Sequence, residues 1–537
     1  RHGPGHSRVC SDKAERGTGM TIARILTASM LREPDALAIV DGETRLTYRE
    51  WHQEIEKLTG GLAALGLEPG AHLVAALSNR LEMASLYWAC QMMGVIFTPF
   101  NWRASGPEIA YVIEDAEAVV VVYEARSAEA VLAAVEETGF SKNQLVRVDG
   151  EGDGLYFSDL RSDTLYQGPA PDNDGNICLM LYTSGTTGRP KGVPRSHAAE
   201  RNASLGCVAQ LHYTYGDVCL GVMPLFHTMG IRSLMMSAIL NGTFVCMPAY
   251  DTETALTLIG QEKITSLFLV PTMFHDIVHR TDLAAFDLGS VNNIAYAGMS
   301  MTTALVKSCA KTFPQAAFSN FYGSSEIYTF AVRNDLAENP GSAGRAGIGQ
   351  TLRVVRADSD ERVGPDEIVP VGETGEIIAS MNALDAFSGY WKRPDADEKA
   401  IRDGWYFTGD LGKFDENGEI YVLGRVDDMI ISGGENIYAE EVEDVLAKSP
   451  DVLGVAVIGI EDDRWGERVT AFIEPATENA APATLDAHCL DSGLARFKRP
   501  RAYAFVKAIP RSASGKLLRR HLRTCDFELL TDYENTI

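Results

Sequence analysis

The sequence predicts an α/β protein with more than one domain, on three observations. At 537 residues the chain is longer than a single hydrophobic core usually serves. Its content of 45% hydrophobic and 23% charged residues is typical of a globular protein. Helical and strand patterns alternate through the first third of the chain, which indicates a parallel sheet with crossover helices.

The predicted elements follow one another in a regular order. Amphipathic periodicity, glycine stops and short apolar runs predict helices over 47–65, 80–94 and 106–115, and strands over 72–77, 95–101 and 118–124. The alternation resumes with a strand over 177–182, a helix capped by Ser196, and strands over 264–272 and 291–298. After about residue 345 the pattern changes to short β segments and turns. Residues 421–437 then lead into a final α+β stretch of domain size.

Composition restricts the function classes. No apolar stretch approaches the length of a membrane span. The start of the chain is polar, and we expect residues 1–19 to be a leader or cloning remnant, with natural sequence beginning at Met20. Nine cysteines are scattered without CxxC pairs, which favours a reducing, cytoplasmic setting without a zinc or disulfide framework.

Charge is distributed unevenly along the chain. The net charge of −25 argues against general binding of nucleic acid. Residues 496–523 nevertheless contain ten Lys or Arg and no Asp or Glu. A solvated basic face is one interpretation of this run. Against so acidic a background, a site for a polyanionic ligand is the better one.

The most informative segment is LYTSGTTGRPKG, residues 181–192. A short buried strand leads into a loop whose glycines permit close approach of the backbone to a ligand. Hydroxyl donors and Lys191 supply the groups that bind a polyphosphate. The spacing is not that of the Walker loop.

Six further motifs follow in order: PLFHTMG (224–230), AYAGMSM (295–301), NFYGSSE (320–326), GWYFTGDLG (404–412), LGRVDDMIISGGENIYAEEVE (423–443) and PRSASGK (510–516). With the glycine-rich loop, they resemble the adenylate-forming superfamily of acyl-CoA synthetases, luciferases and peptide-synthetase adenylation domains. The resemblance covers nearly the whole chain from Met20. It is strongest to bacterial aryl-CoA ligases of the 4-chlorobenzoate–CoA ligase type.

The resemblance implies a fold and a two-step reaction. Two parallel-sheet α/β subdomains and a small β-barrel-like subdomain would form a large N-terminal domain over 20–425. A small, mobile α+β domain would follow over 426–537. A carboxylate would first attack the α-phosphate of ATP, giving an acyl-adenylate and pyrophosphate. The thiol of coenzyme A would then displace AMP.

The resemblance also implies the nucleotide site and its metal. Lys516 would bridge the carboxylate and the α-phosphate, a task that suits a long side chain with a compact charge. Glu326 would bind Mg²⁺, and His227 would position the carboxylate without acting as a base. The residues that would bind ATP or AMP are Thr183, Ser184, Gly185, Thr186, Thr187, Gly188, Lys191, Gly298, Met299, Tyr322, Gly323, Ser325, Asp410 and Arg425.

The second half-reaction would use the end of the chain. Asp427 matches the hinge about which the small domain turns. The residues that would contact coenzyme A are Gly433, Gly434, Trp465, Phe497, Arg499 and Arg501. Lys498 lies in the same basic cluster.

The acyl pocket is predicted from matched positions: Leu205, Thr228, Met229, Phe268, Ala297, Met299, Phe321, Gly323, Tyr328 and Thr329. None of them is charged, and most are apolar or aromatic, which favours an aromatic or alicyclic acid. Tyr328 and Thr329 hint at one polar substituent on the ring.

Several alternatives stay open at this point. A medium- or long-chain fatty acyl-CoA synthetase would share every catalytic motif. A stand-alone adenylation enzyme would load a carrier protein and would not need the coenzyme A contacts. A luciferase-like oxygenase or an inactive binding protein is a further reading, and the inactive one fits poorly because Lys516, Glu326 and Asp410 are all present. A homodimer is open as well, whereas no nucleic-acid partner is expected.

Overall fold

The structure of the protein is a computed structural model. It describes residues 21–183, 189–280, 282–357, 362–433, 435–511 and 517–536.

The first sheet has seven strands and is parallel except at one edge. In spatial order its strands are Leu155–Tyr156, Leu145–Arg147, Ala118–Tyr123, His72–Ala76, Ile96–Pro99, Ile177–Thr183 and Lys191–Ser196. The last strand runs antiparallel to its neighbour, with Lys191 opposite Thr183. Lys191 and Gly192 were expected at the end of a loop and instead begin a strand, so that expectation is wrong for these two residues.

The second sheet has nine strands and the same parallel centre. In spatial order they are Arg345–Ala346, Ala331–Arg333, Ala317–Tyr322, Asn293–Tyr296, Ser266–Leu269, Val218–Gly221, Thr243–Cys246, Leu37–Asp41 and Thr44–Thr47. Six central strands are parallel, and antiparallel pairs close both edges.

Helices cover both sheets. The helices of the large domain are Ala23–Arg32, Tyr48–Ala64, Leu81–Met93, Gly106–Asp115, Ala128–Thr138, His197–Gln210, Thr228–Ile239, Thr252–Gln261, Pro271–Val278, Thr303–Thr312 and Pro394–Ala400. Local sequence determines their ends. Thr47 and Glu50 form a capping box, and Gly94 ends its helix in the left-handed conformation that glycine adopts freely. One hydrophobic cluster contains buried residues from both sheets and joins the two subdomains.

The third sheet is small and antiparallel, and it is the β-barrel-like subdomain that the family resemblance implies, here a curled half-barrel. Its strands are Leu352–Val355, Gly375–Ser380, Trp405–Phe414, Ile401–Arg402 and Ile420–Arg425. Register irregularities interrupt two of its strand pairs, and such bulges bend a sheet.

The C-terminal sheet follows after a short 3₁₀ turn, Val426–Asp428. Its strands are Glu435–Ile437, Ile430–Ser432, Gly466–Pro475, Val452–Asp462 and Ala502–Phe505, and its helices are Ala439–Leu446, Pro482–Asp491 and Arg519–Arg523. Two hydrophobic clusters made of residues after position 429 form its own core. In the part of the chain that the structure covers, no helix is long and apolar enough to cross a membrane.

Candidate active site

The predicted nucleotide residues lie beyond the carboxyl ends of two adjacent parallel strands of the second sheet. Gly298 and Met299 follow the strand Asn293–Tyr296, and Gly323, Ser325 and Glu326 follow its neighbour Ala317–Tyr322. This edge is where open α/β sheets bind ligands. Gly298 has φ of +90°, a conformation that favours glycine.

Tyr322, Asp410 and Arg425 form one hydrogen-bonded cluster. The Tyr322 hydroxyl donates to Asp410 Oδ2 at 2.6 Å, and Arg425 Nη1 donates to Asp410 Oδ1 at 2.6 Å. Asp410 and Arg425 lie opposite each other on paired strands of the third sheet, which explains their contact. The Asp410 carboxylate raises the pKa of Arg425, and burial raises the pKa of Tyr322. The cluster therefore holds one fixed carboxylate beside a permanent cation.

A second cluster joins Glu326, Tyr390 and Lys191. Glu326 is buried, and its Oε1 accepts a hydrogen bond from the Tyr390 hydroxyl at 2.7 Å. The Lys191 ammonium lies 4.1 Å from the centre of the Tyr390 ring. Burial lowers the pKa of Lys191, and the charge of Glu326 opposes that shift. Tyr390 lies outside every motif that the sequence singled out, so its role was missed.

Buried Arg195 supports Glu326 from behind. Its Nη1 donates to the main-chain oxygen of Glu326 at 2.9 Å, and its Nε donates to Glu200 at 2.7 Å. Because the guanidinium is fully buried and paired, it holds the turn that carries Glu326 rather than facing a ligand.

Several predicted residues lie outside the described residues. They are Ser184, Gly185, Thr186, Thr187, Gly188, Gly434 and Lys516. Thr183, the last described residue before the first of these gaps, is half-buried at the end of its strand.

Four predicted acyl-pocket residues share one hydrophobic cluster: Met229, Phe268, Ala297 and Phe321. Phe268 and Phe321 meet edge to face, with ring centroids 6.0 Å apart. His227 lies at the N-terminus of the helix Thr228–Ile239, half-buried against the Phe226 ring. These four predicted pocket residues therefore lie at the same sheet edge as Tyr322.

The remaining predicted pocket residues are less uniform. Tyr328 and Thr329 are buried, Thr228 and Gly323 are half-buried, and Leu205 is 46% exposed. Leu205 and Thr329 instead line an open cavity of about 200 Å³, together with Asn202, Ala203, Gly206, Ala209, Gln210, Ile348, Gln350, Leu384 and Asp385.

A charged side chain that the sequence prediction did not include lies beside two of the predicted pocket residues. The Arg232 guanidinium lies 4.3 Å from the centre of the Phe321 ring and 4.5 Å from that of Tyr328. Arg232 is five residues after His227 on the same helix and is 1% exposed. It falls outside the PLFHTMG motif, and one basic residue in an apolar helix carries no periodic signal. Only its buried position, which the structure supplies, distinguishes it.

The predicted coenzyme A residues differ in their surroundings. Gly433 donates its N–H to the Trp465 carbonyl at 2.7 Å, and its φ of +64° favours glycine. The Arg501 guanidinium lies over the Trp465 ring at 3.9 Å and is exposed, as is Phe497. Trp465 itself is half-buried, so the exposed groups of this set are Arg501 and Phe497.

The two other basic residues of this cluster are engaged. Arg499 forms an ion pair with Asp486, and Lys498 forms one with Glu441 at 2.7 Å. The basic run is therefore less free than the sequence suggests, because acids from neighbouring helices neutralise part of it.

The predicted hinge lies where the chain leaves one sheet for another. Asp427 is exposed within the turn Val426–Asp428, between the strands Ile420–Arg425 and Ile430–Ser432. Arg519, three residues after the last motif, donates to Asp428 and to Glu443. This ion-pair network connects the end of the chain with the turn.

Comparison with known proteins identifies the family of the chain. The AMP-binding enzyme family matches residues 26–391, and the AMP-binding enzyme C-terminal domain matches residues 441–516. The chain belongs to the AMP-binding enzyme family. Within that family it is an AMP-forming acyl-CoA synthetase.

Three similar proteins illustrate the range of the family. The 4-chlorobenzoate–CoA ligase of Arthrobacter sp is 34% identical over 94% of this chain and 95% of its own length. The long-chain-fatty-acid–CoA ligase FadD13 of Mycobacterium tuberculosis is 31% identical over 90% of this chain and 93% of its own. The structure of the anthranilate CoA ligase AuaEII with anthranoyl-AMP has a TM-score of 0.86 and 25% identity, covering 94% of this chain and 97% of its own.

Proposed function

We propose that the protein is an ATP- and Mg²⁺-dependent ligase that joins a ring-bearing carboxylic acid to coenzyme A. A carboxylate oxygen attacks the α-phosphorus of ATP, the P–O bond to pyrophosphate breaks, and an acyl-adenylate forms. The sulfur of coenzyme A then bonds to the acyl carbon, and AMP leaves with the electron pair of the broken C–O bond. The observation that carries the proposal is the aromatic pocket around Phe268 and Phe321, at the same sheet edge as the Tyr322–Asp410 cluster.

The nucleotide is assigned to the cluster of Tyr322, Asp410 and Arg425. The Asp410 carboxylate can accept hydrogen bonds from both hydroxyls of a ribose. Arg425 orients that carboxylate and adds a cation near the phosphates. The Tyr322 ring supplies a flat apolar surface for adenine, and Gly298, Met299, Gly323 and Ser325 border the same space.

The residues around Glu326 fit a magnesium ion. No group of three or more potential metal ligands occurs among the described residues. One buried carboxylate is nevertheless a suitable donor set for Mg²⁺, which takes one or two carboxylates together with phosphate oxygens and water. Glu326 would hold the ion, and Tyr390 would fix the carboxylate orientation. The ion would supply charge neutralisation at the phosphates.

Lysines would stabilise the charge that develops during adenylation. Lys191, beside Glu326, faces the position of the outer phosphates, and Lys516 would bridge the carboxylate and the α-phosphate. His227, at the N-terminus of a helix, would hold the acid's carboxylate, because helix N-termini favour anions. An ionised carboxylate needs no base to attack phosphorus, so His227 is a positioning residue.

Coenzyme A is assigned to the surface formed by Gly433, Trp465, Phe497 and Arg501. The half-buried Trp465 ring and the exposed Phe497 ring can stack on an adenine, and Arg501 can meet a phosphate. Arg499 would act indirectly, since Asp486 already binds its guanidinium. Mobility of the small domain about Asp427 would bring this surface and Lys516 to the site in turn.

A carrier-protein loading enzyme is the alternative from another functional class. It would use the same adenylation site, but it has no use for the Trp465–Arg501 pair as a nucleotide surface. A fatty acyl-CoA synthetase differs only in its acyl pocket. The open cavity beside Thr329 is space that an alkyl chain could occupy, so fatty acids are included in the substrate panel.

The proposal is tested with a panel of benzoates, alicyclic acids and fatty acids, scored for AMP release with and without coenzyme A. We expect ring-bearing acids to release AMP fastest, with turnover that depends on coenzyme A. If only fatty acids were turned over, the substrate class would be fatty acids instead of ring-bearing acids. Adenylate formation that coenzyme A does not accelerate would favour the carrier-protein alternative.

A further inference from the structure

Arg232 is a buried cation beside the acyl pocket without an acidic partner. Its side chain is 1% exposed. Nη1 donates to Cys207 Sγ at 2.9 Å, and Nε has no acceptor. Within the described ranges, no carboxylate lies within 4.0 Å of this guanidinium, although the Arg195–Glu200 ion pair shares the Tyr328 ring with it.

The neighbouring carboxylates already have partners. Glu200 binds Arg195 at 2.7 Å. Asp385 accepts hydrogen bonds from the Thr329 N–H at 3.2 Å and from Gln350 Nε2 at 2.6 Å. Neither contacts Arg232, so the guanidinium charge is balanced only at a distance.

Such a charge is costly unless something pairs with it. Arginine stays protonated in proteins, and burying an ion without a partner of opposite charge is strongly destabilising. A thiol is a weak acceptor, and stacking on aromatic rings compensates only part of that cost. Arg195 provides the comparison within the same protein: it is equally buried and its Nη2 also has no acceptor among the described groups, but a carboxylate and a carbonyl pair with its other nitrogens. The unpaired state of Arg232 therefore indicates a ligand.

The neighbours of Arg232 indicate that such a ligand would lie in the predicted acyl pocket. Its guanidinium stacks on Phe321 and Tyr328, which both belong to the predicted acyl pocket. It lies five residues after His227, or about 7.5 Å further along the helix axis at 1.5 Å per residue. The Tyr328 hydroxyl is buried beside the Glu200 carboxylate. A buried guanidinium without a carboxylate partner thus lies against two residues of the predicted acyl pocket.

We infer that the acyl substrate carries a second carboxylate and that Arg232 binds it. This rests on the proposed ligase function and narrows its substrate class to dicarboxylic acids. Nε and a neighbouring N–H of a guanidinium present parallel donors that match the two oxygens of a carboxylate. An acid without this group leaves the Arg232 charge unpaired, so it binds more weakly.

The wild-type protein tests the inference with matched pairs of acids. The pairs are benzoate with benzene-1,3- and benzene-1,4-dicarboxylate, cyclohexanecarboxylate with cyclohexane-1,4-dicarboxylate, and decanoate with decanedioate. The measurement is kcat/KM for acid-dependent AMP release. We expect the second carboxylate to raise kcat/KM at least tenfold in one or more pairs. Equal or better turnover of the monocarboxylate in every active pair overturns the inference.

The same set separates this inference from the proposed function. A preference for decanedioate over decanoate, with both ring series inactive, contradicts the ring-bearing class and supports Arg232 as the carboxylate site. A preference for benzoate over both benzenedicarboxylates supports the ring-bearing class and contradicts Arg232 as the carboxylate site.

Two variants then test Arg232 itself. Arg232→Met keeps the length and removes the charge, so it should abolish the preference for the dicarboxylate while leaving the KM for ATP unchanged. Cys207→Ala removes the sulfur that accepts the hydrogen bond from Arg232 Nη1, and it should leave the preference for the dicarboxylate intact. Because a buried unpaired charge is removed, Arg232→Met should melt at the same temperature as the wild type or higher.

A purely structural Arg232 gives the opposite pattern. Arg232→Met would then melt at a lower temperature and keep the ratio of kcat/KM between paired acids. If that variant does not fold, the wild-type melting temperature with ATP and each acid decides. A larger rise with the dicarboxylate supports the inference, and an equal or smaller rise contradicts it.

Discussion

At the scale of single residues, the site depends on carboxylates that other side chains hold in place. Asp410 is held by Tyr322 and Arg425, and Glu326 by Tyr390. Resemblance to a family could name Asp410, Tyr322 and Glu326, because each stands inside a motif. It could not name Tyr390 or Arg232. Their importance comes from what they contact across the fold, and no local sequence pattern encodes that contact.

Tyr390→Phe tests the support of Glu326. The variant keeps the ring beneath Lys191 and removes the hydroxyl that donates to Oε1. A hydrogen bond to a charged group contributes about 1.5–3 kcal/mol, so we expect the Mg²⁺ concentration for half-maximal activity to rise about tenfold or more. Titration of activity with Mg²⁺ measures this. Tyr421→Phe, whose hydroxyl binds Asn339 away from the site, is the control. An unchanged Mg²⁺ requirement in Tyr390→Phe would remove this residue from the metal site.

Lys516→Ala should separate the two half-reactions. Since Lys516 would act only while the carboxylate attacks ATP, adenylate formation should be abolished. Formation of the thioester from pre-made acyl-adenylate should be largely retained. Rapid-quench measurement of each half-reaction gives the comparison. Equal loss in both halves would contradict a change of domain position between them.

At the scale of elements, the order of helices and strands could be predicted well, and their pairing less well. The helix over 106–115 is found with the predicted bounds, because a Ser105–Glu108 capping box and an apolar face specify it locally. The strand Lys191–Ser196 was missed, since its residues read as the end of a glycine-rich loop. Its existence depends on pairing with Ile177–Thr183, a contact that lies outside any local window.

The helix His197–Gln210 begins with a buried histidine that should weaken the fold in acid. Burial lowers the pKa of His197 to about 4. Below about pH 6.5 the unfolded chain binds a proton that the native state excludes, so stability falls as the pH drops from about 6.5 towards 4. A shift of this size corresponds to about 3 kcal/mol.

His197→Asn removes that titration and keeps an acceptor for the Ile22 N–H, which donates to His197 Nδ1 at 3.3 Å. Its melting temperature should decline less steeply than that of the wild type between pH 6.5 and 4.5. His279→Asn, on an exposed ring, is the control and should follow the wild type. If the melting temperatures of His197→Asn and the wild type fell in parallel with pH, His197 would not be the cause of the acid sensitivity.

The turn at Val426–Asp428 is the element on which domain movement would depend. Its hydrogen bond runs from the Met429 N–H to the Val426 carbonyl, so proline at position 427 leaves it intact. Asp427→Pro fixes φ near −65° and should block rotation. Pyrophosphate release in a single turnover should survive, while formation of the CoA ester should collapse. Normal steady-state turnover of Asp427→Pro would place the hinge elsewhere.

At the scale of the whole molecule, an acidic protein carries a basic and aromatic surface around Trp465 and Arg501 on its small domain. Arg501→Ala removes the free cation over Trp465 and should raise the KM for coenzyme A at least tenfold, leaving the KM for ATP nearly unchanged. The effect should shrink at high salt, because an exposed phosphate contact is screened. Arg499→Ala breaks an ion pair with Asp486, so its main effect should be on stability. A normal KM for coenzyme A in Arg501→Ala would show that this surface is a solvated basic face and not a binding site for coenzyme A.

The central claim is that the acid is activated by attack of its own carboxylate on the α-phosphorus of ATP. The most direct test follows oxygen. A ring-bearing acid labelled with ¹⁸O in both carboxylate positions is turned over with ATP and coenzyme A, and the products are analysed by mass spectrometry. Formation of an acyl-adenylate predicts one labelled oxygen in AMP and the other in the acyl-CoA ester. Unlabelled AMP, with the label in phosphate or pyrophosphate, would contradict it.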